Sequence, residues 1–300
     1  MKLDDRETSG VTTRPHAQGL PTMLRIFLLI FAAMSLIVLG DTAGKTLIAM
    51  GVTPITVAWT RFGIAALLLW PLCALTKDDL PAIRDWRLWL RAGFIAGGII
   101  CILTALRTEP IADVFGVFFV GPMVSYLLSA LFLKEQITAP RTALLFLGFV
   151  GVLLVVKPGF GVSPGLLWAL LAGLFYGAYL TATRWLATEI RPRLLLFSQL
   201  VIGAILLAPI GLTQSMPALS LPISALILAS AIASAAGNFI LVTVNRTTPA
   251  SVVSPLIYTQ LIAATIAGFM FFDDLPDAVA LSGLGLILFS GLFSLRLAKT

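Results

Sequence analysis

The chain has 300 residues, of which 59% are hydrophobic and 11% charged, with a net charge of +6. A soluble domain carries about 25% charged residues, so a water-soluble globule is excluded and apolar runs of about 20 residues read as membrane-spanning helices. The surplus of Lys and Arg then reports orientation in a bilayer, because basic residues gather in cytoplasmic loops, and gives no ground for nucleic-acid binding.

Residues 1–22 ("MKLDDRETSGVTTRPHAQGLPT") form a polar leading tail that reads as disordered and cytoplasmic, its charges too mixed for a transit peptide. Ten apolar runs follow, at about 23–49, 55–75, 87–106, 112–133, 141–157, 164–187, 193–212, 222–244, 249–272 and 278–297. The first is long for a signal-peptide core and nine others succeed it, so it reads as a retained helix. Connections are short and punctuated by Pro54, Pro81, Pro110, Pro140, Pro192, Pro217, Pro249 and Pro276, with no room for a soluble domain. Cys73 and Cys101 both fall in apolar runs, which indicates no disulfide framework. With the amino terminus cytoplasmic, sixteen of the 20 Lys and Arg lie on the inner side, Arg91 and Arg184 among them. Only Lys45, Arg61, Arg107 and Lys157 lie on the outer side. Both termini are therefore expected in the cytoplasm.

An internal repeat links the two halves. A shift of 138 places Pro54, Ile64, Ala66, Leu69 and Pro71 on Pro192, Ile202, Ala204, Leu207 and Pro209. A shift of 139 places "LRTEPIADVFG" on "NRTTPASVVSP" and Glu135 on Asp274. The expected units are 23–157 and 164–297, five helices each. Because five is odd, the second unit enters the membrane from the opposite side, the inverted arrangement found in secondary transporters. The fold class is thus all-α integral membrane, ten transmembrane helices in two inverted five-helix repeats.

Charges inside the apolar runs are candidates for function. Asp41 and Lys45 stand one turn apart on the first helix. Counting about 1.5 Å per residue from the helix centres puts Asp41 roughly 7 Å and Arg61 roughly 6 Å above the midplane, with Lys45 near the rim at roughly 13 Å. Asp41 and Arg61 are therefore level. Arg107, Glu109 and Asp113 belong to the connection on the same side. Two readings of this cluster stand together: structural pairing of Asp41 with Arg61, with Lys45 snorkelling to the headgroups, and an outer gate or substrate-charge site. The repeat places Asp41 on Tyr179, Lys45 on Thr183 and Arg61 on Gln199, so the opposite half is polar but neutral. Tyr126, Tyr176, Tyr179 and Tyr258, with Asn238 and Gln260, suit an apolar pocket bearing a few hydrogen-bonding groups. Gly116, Gly121 and Pro122 in the fourth helix and Pro255 in the ninth are hinge candidates. Gly93-x-x-x-Gly97 and Gly173-x-x-x-Gly177 read as packing positions.

Two five-helix repeats, the Arg in "AWTRFGIAALLL", and "LFLKEQIT" ahead of "GFVGVLLVVKPG" together resemble the EamA-type drug/metabolite transporters, over about residues 23–297. The second repeat departs from that pattern, with Asp273-Asp274 where a single Glu is usual. The resemblance implies a ten-helix inner-membrane carrier, not an enzyme, that moves amino acids, nucleotide-related metabolites or amphiphilic compounds. It points to the exporters of amino acids, aromatic ones included, with uptake of a nucleotide-related metabolite as the alternative.

Other classes fare worse. The only histidine, His16, lies in the tail, which leaves no Ser–His protease. Val38 stands where a two-aspartate intramembrane protease needs the first Gly of Gly-x-Gly-Asp. No Walker-type phosphate loop occurs, and paired weak points fit alternating access better than a channel. The expected partners are a small-molecule substrate and the lipid bilayer, with Asp41 as the candidate group for coupling to protons. No cofactor or metal is expected, and monomer and homodimer both remain open.

Overall fold

Short hydroxyl residues followed by proline start several helices. Thr53 accepts a hydrogen bond from the Thr56 backbone N–H at 3.3 Å, with Pro54 in the first turn. Ser163 accepts likewise from Leu166 at 3.2 Å, ahead of Pro164. Proline's missing N–H does no harm there, because the first N–H groups of a helix have no partner within it.

The computed structural model describes residues 20–73, 79, 81–109, 111–156, 163–214, 220–272 and 277–297. The first half of the chain holds α1 (Leu20–Ala49), α2 (Pro54–Leu69), α3 (Trp86–Ala105), α4 (Ile111–Phe118), α5 (Val120–Leu133) and α6 (Ala139–Val156). The second half holds α7 (Pro164–Ala187), α8 (Pro192–Gly211), α9 (Leu221–Thr247), α10 (Ala250–Ile257), α11 (Gln260–Phe272) and α12 (Ala278–Leu297). No strand occurs among the described residues. The first helix starts at Leu20, ahead of the expected 23. Residues 1–19 of the leading tail, Pro110, Lys157, Asp273 and Asp274 lie outside the described residues.

Among the described residues, seven stretches are long and apolar enough to cross a membrane: Met23–Ala49, Trp86–Ala105, Val114–Leu133, Pro164–Ala187, Pro192–Gly211, Leu221–Thr247 and Ala250–Phe271. Pro54–Leu69, Ala139–Val155 and Ala278–Ser294 are apolar but shorter. At about 1.5 Å per residue, such helices fall short of a hydrocarbon core about 30 Å thick. Large apolar side chains face outward, Leu67, Leu131, Phe132 and Met270 among them. Buried serines and threonines line the interior instead, the distribution of a protein solvated by lipid.

The fourth and ninth runs, each expected as one helix, are both broken. In the fourth, α4 ends at Phe118 and α5 starts at Val120. Pro122 there has no N–H to offer the Phe118 carbonyl. In the ninth, Pro255 lies within α10, yet the break comes beyond it, at Tyr258 and Thr259. Backbone bonds tighten to three-residue spacing at that point, from Thr259 to Leu256 at 3.1 Å and from Leu261 to Tyr258 at 3.0 Å. The Thr259 hydroxyl also donates to the Leu256 carbonyl at 2.7 Å, competing with the helical ladder. The shift of 139 places Phe119 on Tyr258. Their rings meet edge to face, centroids 5.7 Å apart and planes at 89°.

Packing follows the repeat. Helix α1 lies along α9 and α3 along α7, while α2 pairs with α8 and α6 with α12. Exchanging each element with its repeat partner swaps the first two pairings and returns the last two to themselves. Close approach of α7 to the end of α4 requires glycine: a Cβ on Gly173 would sit 2.6 Å from the Phe118 carbonyl oxygen. Gly93, by contrast, meets nothing within 4 Å.

Candidate functional site

A short turn, Met50 to Thr53, joins α1 to α2 and sets Asp41 beside Arg61. The Arg61 Nη1 donates to Asp41 Oδ1 at 2.8 Å, and both side chains are buried. Its Nη2 donates to the Gly40 carbonyl at 2.9 Å and its Nε to Ser230 Oγ on α9 at 3.0 Å. Ser230 in turn donates to the Gly40 carbonyl at 2.9 Å. A Cβ on Gly44 would lie 2.9 Å from the guanidinium, so the glycines around Asp41 make room for it. A charge-assisted bond, with the remaining guanidinium donors satisfied by a carbonyl and a hydroxyl, is what a buried ion pair needs to offset its lost hydration. Lys45 is half-buried one turn further along α1.

A second network lies near the opposite end, where α3 starts and α7 finishes. Arg91, the sixth residue of α3, is fully buried. It donates to Thr183 Oγ1 at 2.8 Å, to the Leu195 carbonyl at 3.0 Å and to the Tyr179 hydroxyl at 3.1 Å. Its guanidinium also lies 4.8 Å over the Tyr179 ring. The Tyr179 oxygen stands 3.0 Å from the side-chain amides of both Gln199 and Asn238. A phenol carries one proton. Asn238 uses its Nδ2 to donate to the Ser234 carbonyl at 2.8 Å, so its oxygen receives that proton. The Gln199 Oε1 stands at the same distance, a second acceptor for that one proton.

Between the two networks is a cavity of about 40 Å³ lined by Asp41, Arg61, Phe118, Tyr176, Asn238 and Gln260, with Ile95, Ile99 and Ile102 as an apolar wall. A water needs about 10–15 Å³ of such space, whereas metabolite pockets run from about 300 Å³ upward. This conformation is therefore closed around a few water-sized places. Two groups in the lining have no hydrogen-bond partner among the described residues, the Tyr176 hydroxyl and Gln260 Oε1. Such groups in a buried wall are available to a ligand. The Tyr176 ring is tilted by 34° against Phe118, centroids 4.9 Å apart, and stacks on Tyr179 at 6.0 Å, so an aromatic row leads from the cavity to the second network.

Other expected residues are elsewhere. Arg107 is exposed in the turn after α3, and Glu109 accepts from Ser163 at 2.7 Å at the start of α7. The expected convergence of that connection on Asp41 is thus not formed by them. The side chain of Asp113 lies outside the described residues. Tyr126 bonds Thr142 on α6 at 2.8 Å and does not line the cavity, because its face of α5 turns toward α6. Tyr258 is buried at the α10–α11 break, outside the lining, with its hydroxyl unpartnered among the described residues. Gly116 is buried in α4, Gly121 packs on Gly173, Pro122 follows the break at Phe119, and Pro255 precedes the one at Tyr258. Arg91, Ser230 and Phe118 carry the geometry without having been expected. The shift of 139 was the available signal, since it places Arg91 on Ser230, the partner of Arg61.

The "LFLKEQIT" segment has a structural task. Lys134 ends α5 in the left-handed region at φ 54°, which swings Glu135 across to α10. Glu135 accepts from Arg184 Nε at 3.0 Å and from the backbone N–H groups of Ala250 and Ser251 at 3.3 and 3.2 Å. Arg184 also donates to the Asn245 carbonyl at 2.8 Å, so the ends of α5, α7 and α9 and the start of α10 are tied together.

The model of the EamA-like transporter family matches residues 24–157 and again 163–296. The chain is similar to the S-adenosylmethionine uptake transporter of Rickettsia conorii, 24% identical over 239 residues that cover 79% of this chain and 81% of that one. Similarity to the riboflavin transporter of Rhizobium johnstonii is 26% over 246 residues, covering 80% of each. The pseudopaline exporter CntI of Pseudomonas aeruginosa is 26% identical over 235 residues, covering 76% of this chain and 81% of its own. A solved crystal structure shares the fold with a TM-score of 0.71 at 18% identity, over 93% of this chain and 99% of that one. These relatives are transporters, not enzymes. With both halves matched, the chain belongs to the EamA-like transporter family, a multi-pass membrane transporter of the drug/metabolite superfamily.

Proposed function

We propose that the chain is a ten-span secondary carrier of two inverted repeats, in a bacterial-type inner membrane with both termini cytoplasmic. Its substrate is an amino acid, aromatic ones included, or a similar amphiphilic metabolite, exported by alternating access. The observation that carries this reading is the Asp41–Arg61 pair in the cavity wall, beside the unpartnered Tyr176 hydroxyl and Gln260 carbonyl oxygen. An α-amino acid brings an ammonium for Asp41 and a carboxylate for Arg61. Each charge of the protein pair then exchanges one partner for another without being left bare in the membrane. Phe118, Tyr176 and the isoleucine wall supply the apolar side that an aromatic substituent needs. Asp41, the acid of that pair, is also the candidate proton carrier.

A second reading, uptake of a nucleotide-related metabolite, is supported by the S-adenosylmethionine relatives. Counterflow of labelled phenylalanine in proteoliposomes, competed by a panel of amino acids, S-adenosylmethionine and riboflavin, separates the two. The export reading expects amino acids to compete best. Asp41→Asn and Arg61→Gln are each expected to lower transport at least about tenfold, about 1.4 kcal/mol, with Tyr176→Phe weakening affinity alone. Unchanged counterflow in both charge variants would remove the site from consideration.

A further inference from the structure

The two polar networks occupy repeat-related positions with different chemistry. The shift of 138 relates Asp41 to Tyr179 and Arg61 to Gln199, and the shift of 139 relates Ser230 to Arg91. Each trio is assembled: Arg61 bonds Asp41 and Ser230, while Tyr179 bonds Gln199 and Arg91. In the first trio the cation, on α2, faces a carboxylate. In the second it has moved to α3, and a phenol occupies the position of the acid.

Arg91 therefore holds a buried positive charge whose hydrogen-bond partners among the described residues are all neutral: a threonine hydroxyl, a main-chain carbonyl and a phenol. All three belong to α7 and α8, in the other repeat. Arg61, in contrast, keeps Asp41 and the Gly40 carbonyl within its own repeat. If the repeats separate at the α3–α7 end, Arg91 loses every partner in one step, while Arg61 keeps its charge balance through the equivalent event at its own end. An isolated guanidinium at that depth is unstable without water or an anion. Its planar fork matches a carboxylate. The Tyr179 hydroxyl already joins Arg91 to Asn238 in the cavity lining, which marks the route between them.

We propose that Arg91 is an anion-binding position, taking the carboxylate of the substrate when the α3–α7 end of the bundle is open, with the Tyr179 ring and hydroxyl holding its place when that end is closed. This rests on the carrier reading above for its alternating states. It adds that the substrate bears a carboxylate and that the protein meets it with a different arginine on each side.

The test uses benzoate and its neutral isostere benzamide on the full-length protein in detergent, read as the melting temperature against probe concentration. Benzoate has no ammonium to satisfy Asp41, so Arg61 stays with its own partner. Wild-type protein is expected to be stabilised by benzoate in a dose-dependent way and not by benzamide, since a ligand that binds the folded state raises its apparent stability. Arg91→Gln should abolish the benzoate shift and Arg61→Gln should keep it. Arg91→Lys, which retains the charge and so guards against misfolding, should weaken the shift about tenfold by losing the fork. Equal responses to benzoate and benzamide, or a benzoate shift lost in Arg61→Gln and kept in Arg91→Gln, would overturn the assignment. Loss of amino-acid counterflow with the benzoate pattern intact would instead count against the substrate reading alone.

Discussion

The ion pairs at the helix ends and the one inside the bundle use the same side chains for different ends. Arg87 pairs with Asp85 and with Glu189, each at 2.8 Å, and all three side chains are partly open to solvent. Arg191 bonds Asp79, and Arg184 bonds Glu135, at the same end of the molecule. Asp41 and Arg61 are both buried. Exposed pairs contribute little, because solvent competes for both partners. A buried pair is sensitive to loss of either member, because the survivor is then an uncompensated charge. The Arg87 pairs, open to solvent, are therefore cheap to separate, whereas Asp41 and Arg61 can part only when something else supplies the missing charge.

The largest effect should come from breaking the interior pair one side at a time. Arg61→Gln is expected to destabilise the protein by about 3–5 kcal/mol, the range for an orphaned buried charge, read as a lower melting temperature in detergent. The double variant Asp41→Asn/Arg61→Gln should recover much of that while still failing to transport. Additive losses in the cycle would show that the two groups do not act as a pair.

An intermediate effect is expected at Glu135. Its carboxylate accepts from Arg184 and from two backbone N–H groups, and Glu135→Gln keeps only part of that set. The loss should be about 1–3 kcal/mol, that of charge-assisted bonds, and it should appear as faster hydrogen exchange at Ala250 and Ser251. Unchanged protection there would mean that α10 is not held by this acid.

Asp85 should matter least. It caps α3 by accepting from the Arg87 backbone N–H at 2.9 Å, so Asp85→Ala is expected to cost about 0.5–2 kcal/mol. Hydrogen bonding from the Arg87 side chain, opposed by partial burial and aided by that backbone bond, holds the Asp85 carboxyl below the usual carboxylate range. Its folded pKa is depressed, so the contribution is complete above about pH 4 and is lost as pH falls through the folded value. A pH titration of melting temperature should show the wild-type and Asp85→Ala curves converging below that range. Parallel curves would remove the cap from the account.

The pairing of Asp41 with Arg61 was legible because helical rise and a short turn leave two residues on adjacent helices at one depth. Arg91 was not legible. A basic residue near the end of an apolar run looks the same whether it reaches for headgroups or turns inward, and only the neighbours Thr183 and Tyr179 decide. Proline showed where an N–H was missing, as at Pro255, but the ladder yields at Tyr258, where the Thr259 hydroxyl competes for a carbonyl. Tyr126 and Tyr176 are equally deep in their helices, yet one meets Thr142 and the other the cavity. Depth is written in the sequence; facing is written in the packing.

The edge-to-face contact of Phe119 with Tyr258 joins the two broken helices at repeat-related residues. Two such residues can touch only near the axis that relates the halves, and points on an axis do not travel when the halves turn about it. For the tilting carrier proposed above, we expect this contact to be the fulcrum, with Gly40 and Ser230 on one arm and Arg91 and Tyr179 on the other. Spin labels at 119 and 258 should keep one separation in both facing states, while pairs placed on the two arms lengthen and shorten in opposite senses. A separation that changes at the rings would mean that the repeats slide instead of tilting.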